Sequence, residues 1–171
     1  LVTACVYPVN EGMEIFTNTE RVRKSRKTTL ELILSTHDRK CLSCIRSGTC
    51  ELQQLCKEFG VDDEGRFDGA NPVHEYDDSA IHMIRDNGKC ILCRRCETVC
   101  NQVQTVGALS VVGRGFTSVL CTAFNDPILT TNCVNCGQCV AVCPTSALSE
   151  NSNIREVMQA LADPGKTVVV Q

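Results

Sequence analysis

Two runs of cysteine carry the chemistry of this sequence. The first reads Cys90-x2-Cys93-x2-Cys96-x3-Cys100 and the second Cys133-x2-Cys136-x2-Cys139-x3-Cys143-Pro144. Thiolates at every third position of a tight loop surround one pocket, which is the geometry that caps three corners of an iron–sulfur cube. The fourth cysteine of such a run starts a helix that points away from its own loop and ligates the cube of the other run. The expected sets are therefore Cys90, Cys93, Cys96 and Cys143 on one [4Fe-4S] cluster, and Cys133, Cys136, Cys139 and Cys100 on the second. Zinc also takes four thiolates, but its structural sites come as separated Cys-x2-Cys pairs and not as triplets with an outlying fourth cysteine.

A third constellation, His37-x3-Cys41-x2-Cys44-x5-Cys50, precedes both runs. One histidine and three cysteines ligate either zinc or a cube, and the spacing fits both. Its place ahead of two cube-binding runs favours a third redox cluster, since zinc would interrupt a chain of electron carriers. Neutral imidazole donates less charge than thiolate, so a histidine ligand raises a cluster's potential. Cys56 falls on the apolar stripe of a helical pattern and reads as core. Cys121, beside Leu120 and Ala123, reads as a buried thiol, and the lone His74 and His82 are assigned no chemistry.

Composition narrows the setting. Fourteen cysteines in 171 residues would suit a secreted disulfide scaffold, but no signal peptide opens the sequence and the spacing is that of metal ligands. Cluster thiolates imply a reducing, cytoplasmic or anaerobic environment. A net charge of −3 without a basic stripe argues against nucleic acid, and no apolar run approaches the length of a membrane span. With 4% aromatic residues and no tryptophan, the apolar cores are modest, so bound clusters are expected to supply much of the folding free energy.

The elements that must position these ligands follow from local pattern. Short apolar stretches in residues 1–22, broken by Pro8 and Asn10-Glu11-Gly12, predict two strands and a turn. The basic residues between Arg21 and Lys27 read as a solvated linker or helix start, with a helix from Thr28 delivering the chain to His37. Leu52, Leu55, Cys56 and Phe59 fall at i, i+3, i+4 and i+7 and stop at Gly60, which predicts an amphipathic helix. Residues 61–79 read as a polar, acidic connector, and Ile81–Ile84 as a short strand. Ala108–Val112 and Phe116–Leu120 form a hairpin inserted between the runs. Gly137 leaves room for backbone N–H groups to approach cluster sulfurs, and Lys89, Arg94 and Arg95 read as surface charge that could also raise a potential or dock a carrier. A last helix spans Asn153 to Leu161, with Asn153 and Glu156 as a capping pair. The β-branched run Thr167–Val170 reads as the opening strand of a further domain, and the sequence as a fragment.

In this order, the motifs resemble the N-terminal electron-transfer part of multi-cluster [FeFe]-hydrogenases over essentially all 171 residues. The residues that carry the likeness are Cys90-Ile91-Leu92-Cys93, the stretch from Val134 to Thr145, and Ala162-Asp163-Pro164-Gly165-Lys166. The expected fold is α+β: residues 1–27 as the end of a plant-type [2Fe-2S] ferredoxin domain, 28–79 as a histidine-ligated [4Fe-4S] domain and linker, 80–150 as a two-cluster ferredoxin-like domain, and 151–171 leading to a catalytic domain. Cys5, in Ala4-Cys5-Val6-Tyr7-Pro8, resembles the last ligand of such a [2Fe-2S] domain; in isolation a lone cysteine is more often a small buried hydrophobe. By this resemblance the [2Fe-2S] cluster is completed, and an H-cluster held, by residues outside the sequence, and the partners are a flavin-bearing NAD(P)H subunit, a small [2Fe-2S] subunit and ferredoxin, in an electron-bifurcating type of complex. Formate dehydrogenases linked to NAD and the large subunit of respiratory complex I share part of the layout and stand as alternatives. No residue of the sequence reads as catalytic.

Overall fold

The computed structural model of the protein describes residues 1–62, 67 and 76–170. These gather into two compact units, Leu1–Asn71 and Pro72–Gln171. The polar connector expected at 61–79 falls mostly on residues 63–66 and 68–75; that part of it, and His74, lie outside the described residues.

In the first unit, residues 1–19 are exposed and form turns where two strands were expected. The chain bends at Thr3–Tyr7, where the N–H groups of Val6 and Tyr7 both donate to the Thr3 carbonyl at 3.2 Å, and again at Gly12 with φ 77°. The stretches are short and apolar, but among the described residues neither meets a partner edge, and unpaired strands are not stable in water. Helix α1 spans Glu20–Leu34, eight residues earlier than the pattern from Thr28 suggested, and so runs across the boundary expected at residue 27. Its N-cap is Thr19, whose hydroxyl accepts the Val22 N–H at 3.3 Å, with Glu20 favourably placed in the positive first turn. The basic run is therefore helix and not linker.

That run has work to do on the second helix, α2 (Glu51–Phe59). Gly60 closes α2 in the left-handed conformation, φ 58° and ψ 46°, as its glycine stop predicts. The Lys27 ammonium donates to the Gly60 carbonyl at 2.6 Å, a cation against the negative end of a helix. The Arg23 and Arg26 guanidinium groups lie 5.1 and 5.9 Å from the centre of the Phe59 ring. Leu30 of α1 and Leu52 of α2 are the buried apolar side chains of this helix pair.

The second unit is built on a three-stranded antiparallel sheet in the order β1 (Tyr76–Asp77), β2 (Met83–Asp86), β5 (Leu148–Glu150). The strand expected at Ile81–Ile84 begins two residues later, because Met83 and Arg85 face inward while Ile81 is exposed. Between β2 and β5 come the first cysteine loop, helix α3 (Arg95–Thr98) continued by a π-helical turn at Val99–Val103, and the hairpin β3 (Ser110–Val112) with β4 (Val119–Cys121). The second loop and helix α4 (Gln138–Ala141) follow. Met83, Leu109, Leu120, Ile128, Val140 and Leu148 form the core together with Cys96, Cys139 and Cys143. Cys121 is buried beside them, as read from its neighbours.

Asp77, expected in a solvated connector, is instead a structural anchor. Its carboxylate accepts the Ile128 and Ser79 N–H groups, both at 3.0 Å, and pairs at 3.4 Å with Arg85, a guanidinium only 1% exposed. Arg85 also donates to the Leu120 carbonyl at 3.3 Å, which ties the sheet to the hairpin.

Helix α5 spans Ile154–Ala162, but Asn153 makes no side-chain cap bond, so the expected capping pair is not formed. Its apolar face is exposed, and residues 167–170 do not form the strand expected there. No helix among the described residues is long and apolar enough to cross a membrane.

Candidate metal centre

The two cysteine loops have the same backbone. In the first, Leu92 and Arg94 stand at φ 54° and 60°; in the second, the equivalent Asn135 and Gly137 stand at 59° and 71°. Left-handed residues alternating with ordinary ones turn successive N–H groups toward one side and make a concave cradle for negative charge. In the first loop the Leu92 N–H donates to the Cys90 sulfur at 3.4 Å. Arg94 and Gly137 are the N-caps of α3 and α4, so each loop ends by launching its short helix from a left-handed residue. Asn135 and Gly137 tolerate that conformation, whereas Leu92 and Arg94 are held in it by the loop. The second copy of the repeat carried this signal in the sequence; the first copy hides it.

Chain pairing then decides which cysteines meet. The register of β2 with β5 sets Arg85 opposite Leu148, and the Asp86 N–H donates to the Ala147 carbonyl at 2.7 Å. Beyond the sheet the Thr145 hydroxyl donates to the Lys89 carbonyl at 2.8 Å. The two strands are antiparallel, so following β2 forward and β5 backward leads to the same place, where Cys90 and Cys143 line one cavity of about 360 Å³ with Cys93 and Cys96. On the other side, Asn132 donates to the Val106 carbonyl at 2.6 Å, and Cys100, on the π-helical turn, receives the Ala108 N–H on its sulfur at 3.3 Å. Cys100 thus lines a second cavity, of about 430 Å³, with Cys133, Cys136 and Cys139.

Both quartets bring together sulfurs that repel one another as thiolates, from buried Cys96, Cys143 and Cys139 to exposed Cys93 and Cys136. Burial pushes the Cys96 thiol up to about 12, with Cys90, Cys143 and Cys93 adding to the shift. Burial likewise raises Cys139 to about 11, with Cys133, Cys100 and Cys136 contributing. Cys90 moves in the same direction, chiefly by burial, against the Leu92 N–H that favours its anion. Such a set holds four anionic sulfurs only around compensating positive charge, which is what the irons of a cube provide; donor type, number and burial all fit that group. Among the described residues, no three His, Cys, Asp or Glu side chains close up as tightly as a single metal ion requires.

The third constellation sits in the first unit. His37 follows the end of α1, Cys41 opens a turn of 3-10 helix that Cys44 closes, and buried Cys50 is the N-cap of α2. Cys56, read as core, is half-buried beside them: burial raises its thiol first, and the nearness of Cys50 and Cys41 raises it further. Its helical spacing concealed that it lies near two cysteines of the third constellation. Cys5 lies in the exposed N-terminal turn. The charges flanking the first run are partnered locally, Lys89 with Asp86 at 2.8 Å and Arg94 with Glu97 at 3.9 Å.

Known proteins share these features. Residues 26–64 match the family described as the NADH-ubiquinone oxidoreductase-G iron-sulfur binding region, and residues 89–147 match the 4Fe-4S dicluster domain. The NADP-reducing hydrogenase subunit HndD of Solidesulfovibrio fructosivorans is 52% identical over all 171 residues, which make up 29% of that protein. The NADPH-Fe(3+) oxidoreductase subunit alpha of Geobacter sulfurreducens is 34% identical over 149 residues, 86% of this chain and 17% of the relative. The chain thus spans less than a third of these curated relatives. A solved chain from an NAD+-reducing [NiFe]-hydrogenase in its H2-reduced state superposes with a TM-score of 0.79 at 27% identity, covering 86% of this chain and 63% of that one. Over its full length the chain is similar to the iron–sulfur electron-transfer region of a hydrogenase subunit.

Proposed function

We propose that the chain is an electron relay of three [4Fe-4S] clusters within a hydrogenase subunit. The observation that carries this reading is the exchange of fourth cysteines: Cys143 lines the cavity of the first run and Cys100 that of the second. Cys90, Cys93, Cys96 and Cys143 would hold one cube, Cys133, Cys136, Cys139 and Cys100 another, and His37, Cys41, Cys44 and Cys50 the third. When bound, such clusters accept and pass single electrons. The protein's part is to bury the sulfurs, aim N–H groups at them and exclude water, and so to set where an electron rests. Among the described residues nothing reads as an acid–base pair or nucleophile for chemistry within the chain.

By the same reading the full protein is an [FeFe]-hydrogenase subunit of an NAD(P)-linked, electron-bifurcating complex, oxidising H2 or reducing protons in a catalytic domain outside this chain. Cys5 would contribute to a [2Fe-2S] cluster completed by other residues. The partners would be a flavin-bearing NAD(P)H subunit, a small [2Fe-2S] subunit and ferredoxin, in the cytoplasm of an anaerobe. The match of residues 26–64 to the oxidoreductase-G region favours a second reading, in which the same relay serves a complex I-type or formate dehydrogenase terminus.

The test is anaerobic iron, zinc and sulfide analysis with electron paramagnetic resonance after dithionite reduction, repeated on His37→Ala. The relay predicts about twelve irons per chain, no zinc, and a spectrum that changes in the variant. About eight irons with one zinc would make the His37 site structural and break the proposed order of carriers.

A further inference from the structure

The two cavities of the second unit are built on one repeat, yet their walls carry different polar side chains, His82 and Thr122 in one and Arg94 and Thr145 in the other. His82, just before β2, lines the cavity of Cys100, Cys133, Cys136 and Cys139. Its Nε2 is buried and has no hydrogen-bond partner among the described residues. The backbone around it is fixed: the Asn151 N–H donates to the His82 carbonyl at 3.1 Å, and the Asn151 side chain donates to the Ala80 carbonyl at 3.2 Å. The backbone is thus held at the wall while one buried ring nitrogen stays uncommitted, and buried polar atoms left in that state call for a partner. The hydroxyl in this wall, that of Thr122, already donates to the Asp126 carbonyl.

The Cys90 cavity has no such group. Its wall hydroxyl, Thr145, is committed to the Lys89 carbonyl, and its wall cation, Arg94, is largely exposed and paired with Glu97. We infer that the Nε2–H of His82 donates a hydrogen bond to a sulfur of the cluster held by Cys100, Cys133, Cys136 and Cys139, making His82 a positioning residue that tunes this site. A donor on sulfur stabilises the more negative, reduced state and raises the reduction potential. The consequence is a bias between two otherwise similar sites, with the electron resting preferentially on the Cys133 side. This rests on the cluster assignment under Proposed function and adds to it a residue to which the sequence pattern gave no role.

The test compares the full chain with His82→Phe, which keeps a ring but no donor, and His82→Gln, which keeps a donor. All three are loaded anaerobically and followed by redox titration with electron paramagnetic resonance. The expected result is unchanged iron and sulfide content. In the phenylalanine variant, the electron partition between the two sites should shift about tenfold toward the Cys90 side, which is 59 mV for a one-electron couple. The glutamine variant should restore most of it. Pulsed measurements on unsubstituted protein carrying 15N-histidine should find a nitrogen coupling beyond that of His37. An unshifted titration, loss of a cluster in both variants, or a single histidine coupling would each overturn the inference. Unsubstituted protein that takes up no iron would instead overturn the cluster assignment itself.

Discussion

Arg85 and Leu148 face each other across β2 and β5, and each stands five residues from a cysteine of the same cavity, Cys90 ahead of one and Cys143 behind the other. The pairing of two strands thereby decides which outlying cysteine reaches the cavity of the first run. Cys143→Ser is expected to deplete the Cys90 site and to leave the Cys133 site loaded, although Cys143 lies in the second run. Cys100→Ser should do the reverse. Each should lower iron by about four per chain, and the surviving spectra of the two variants should differ. If each substitution emptied its own run, the exchange would be wrong.

Asp77 holds Arg85 in place, and its loss leaves a buried cation without its partner. Breaking such a pair from one side costs about 3–5 kcal/mol, so Asp77→Asn is expected to destabilise the second unit far more than a surface change. The same contacts give an acid dependence. Burial pushes the Asp77 carboxyl up, but the bonds from Ser79 and Ile128 and the charge of Arg85 outweigh it and hold it below the usual 3.8. A depressed carboxyl contributes stability that is present above its ordinary value and is lost as pH falls through the native one. Urea unfolding at neutral and acid pH should show the loss in the parent chain and its absence in Asp77→Asn.

Arg94 and Gly137 are equivalent in the repeat and share a left-handed backbone, at φ 60° and 71°. A side chain in that region costs about 1–2 kcal/mol. Arg94→Gly should therefore gain up to about 1 kcal/mol after glycine's own entropy cost. An added Cβ at Gly137 meets nothing within 4 Å, so Gly137→Ala should cost the backbone strain alone, about 1 kcal/mol. Bleaching of the loaded chain in urea should rank the two variants on opposite sides of the parent.

Without metal, the raised thiols of Cys96 and Cys139 make the chain alkali-sensitive. Their stabilising contribution is complete below the ordinary thiol value of 9.0 and is lost as pH rises toward about 12 and 11. Loading releases these protons, so the loaded chain should lack this dependence. Thermal unfolding of both forms across that range, with proton release measured on loading, gives the comparison.

The candidate ligands could be named from the sequence because metal spacing is local: three cysteines at every third position lie on one loop whatever surrounds them. The stop of α2 at Gly60, the β3–β4 hairpin and the burial of Cys121 were legible for the same reason, since turn glycines and short apolar runs act over a few residues. Misreadings arose where a local pattern needed a distant partner. The basic residues from Arg21 to Lys27 read equally as linker or helix start until Gly60 and Phe59 are placed against them. Asp77 looks solvated until Arg85 and Ile128 reach it, and the apolar stretches of residues 1–19 found no edge to pair with. His82 had no ligand-spaced neighbour and gained a place only because strand pairing folds it into the wall of a cavity formed by residues up to 57 positions away. The sequence by itself determined which side chains are candidates to bind metal and, through Asn135 and Gly137, how the second loop is wound. Tertiary structure decided which loop receives which fourth cysteine and which buried charges are balanced, because those depend on antiparallel register and burial, which no short window of residues contains.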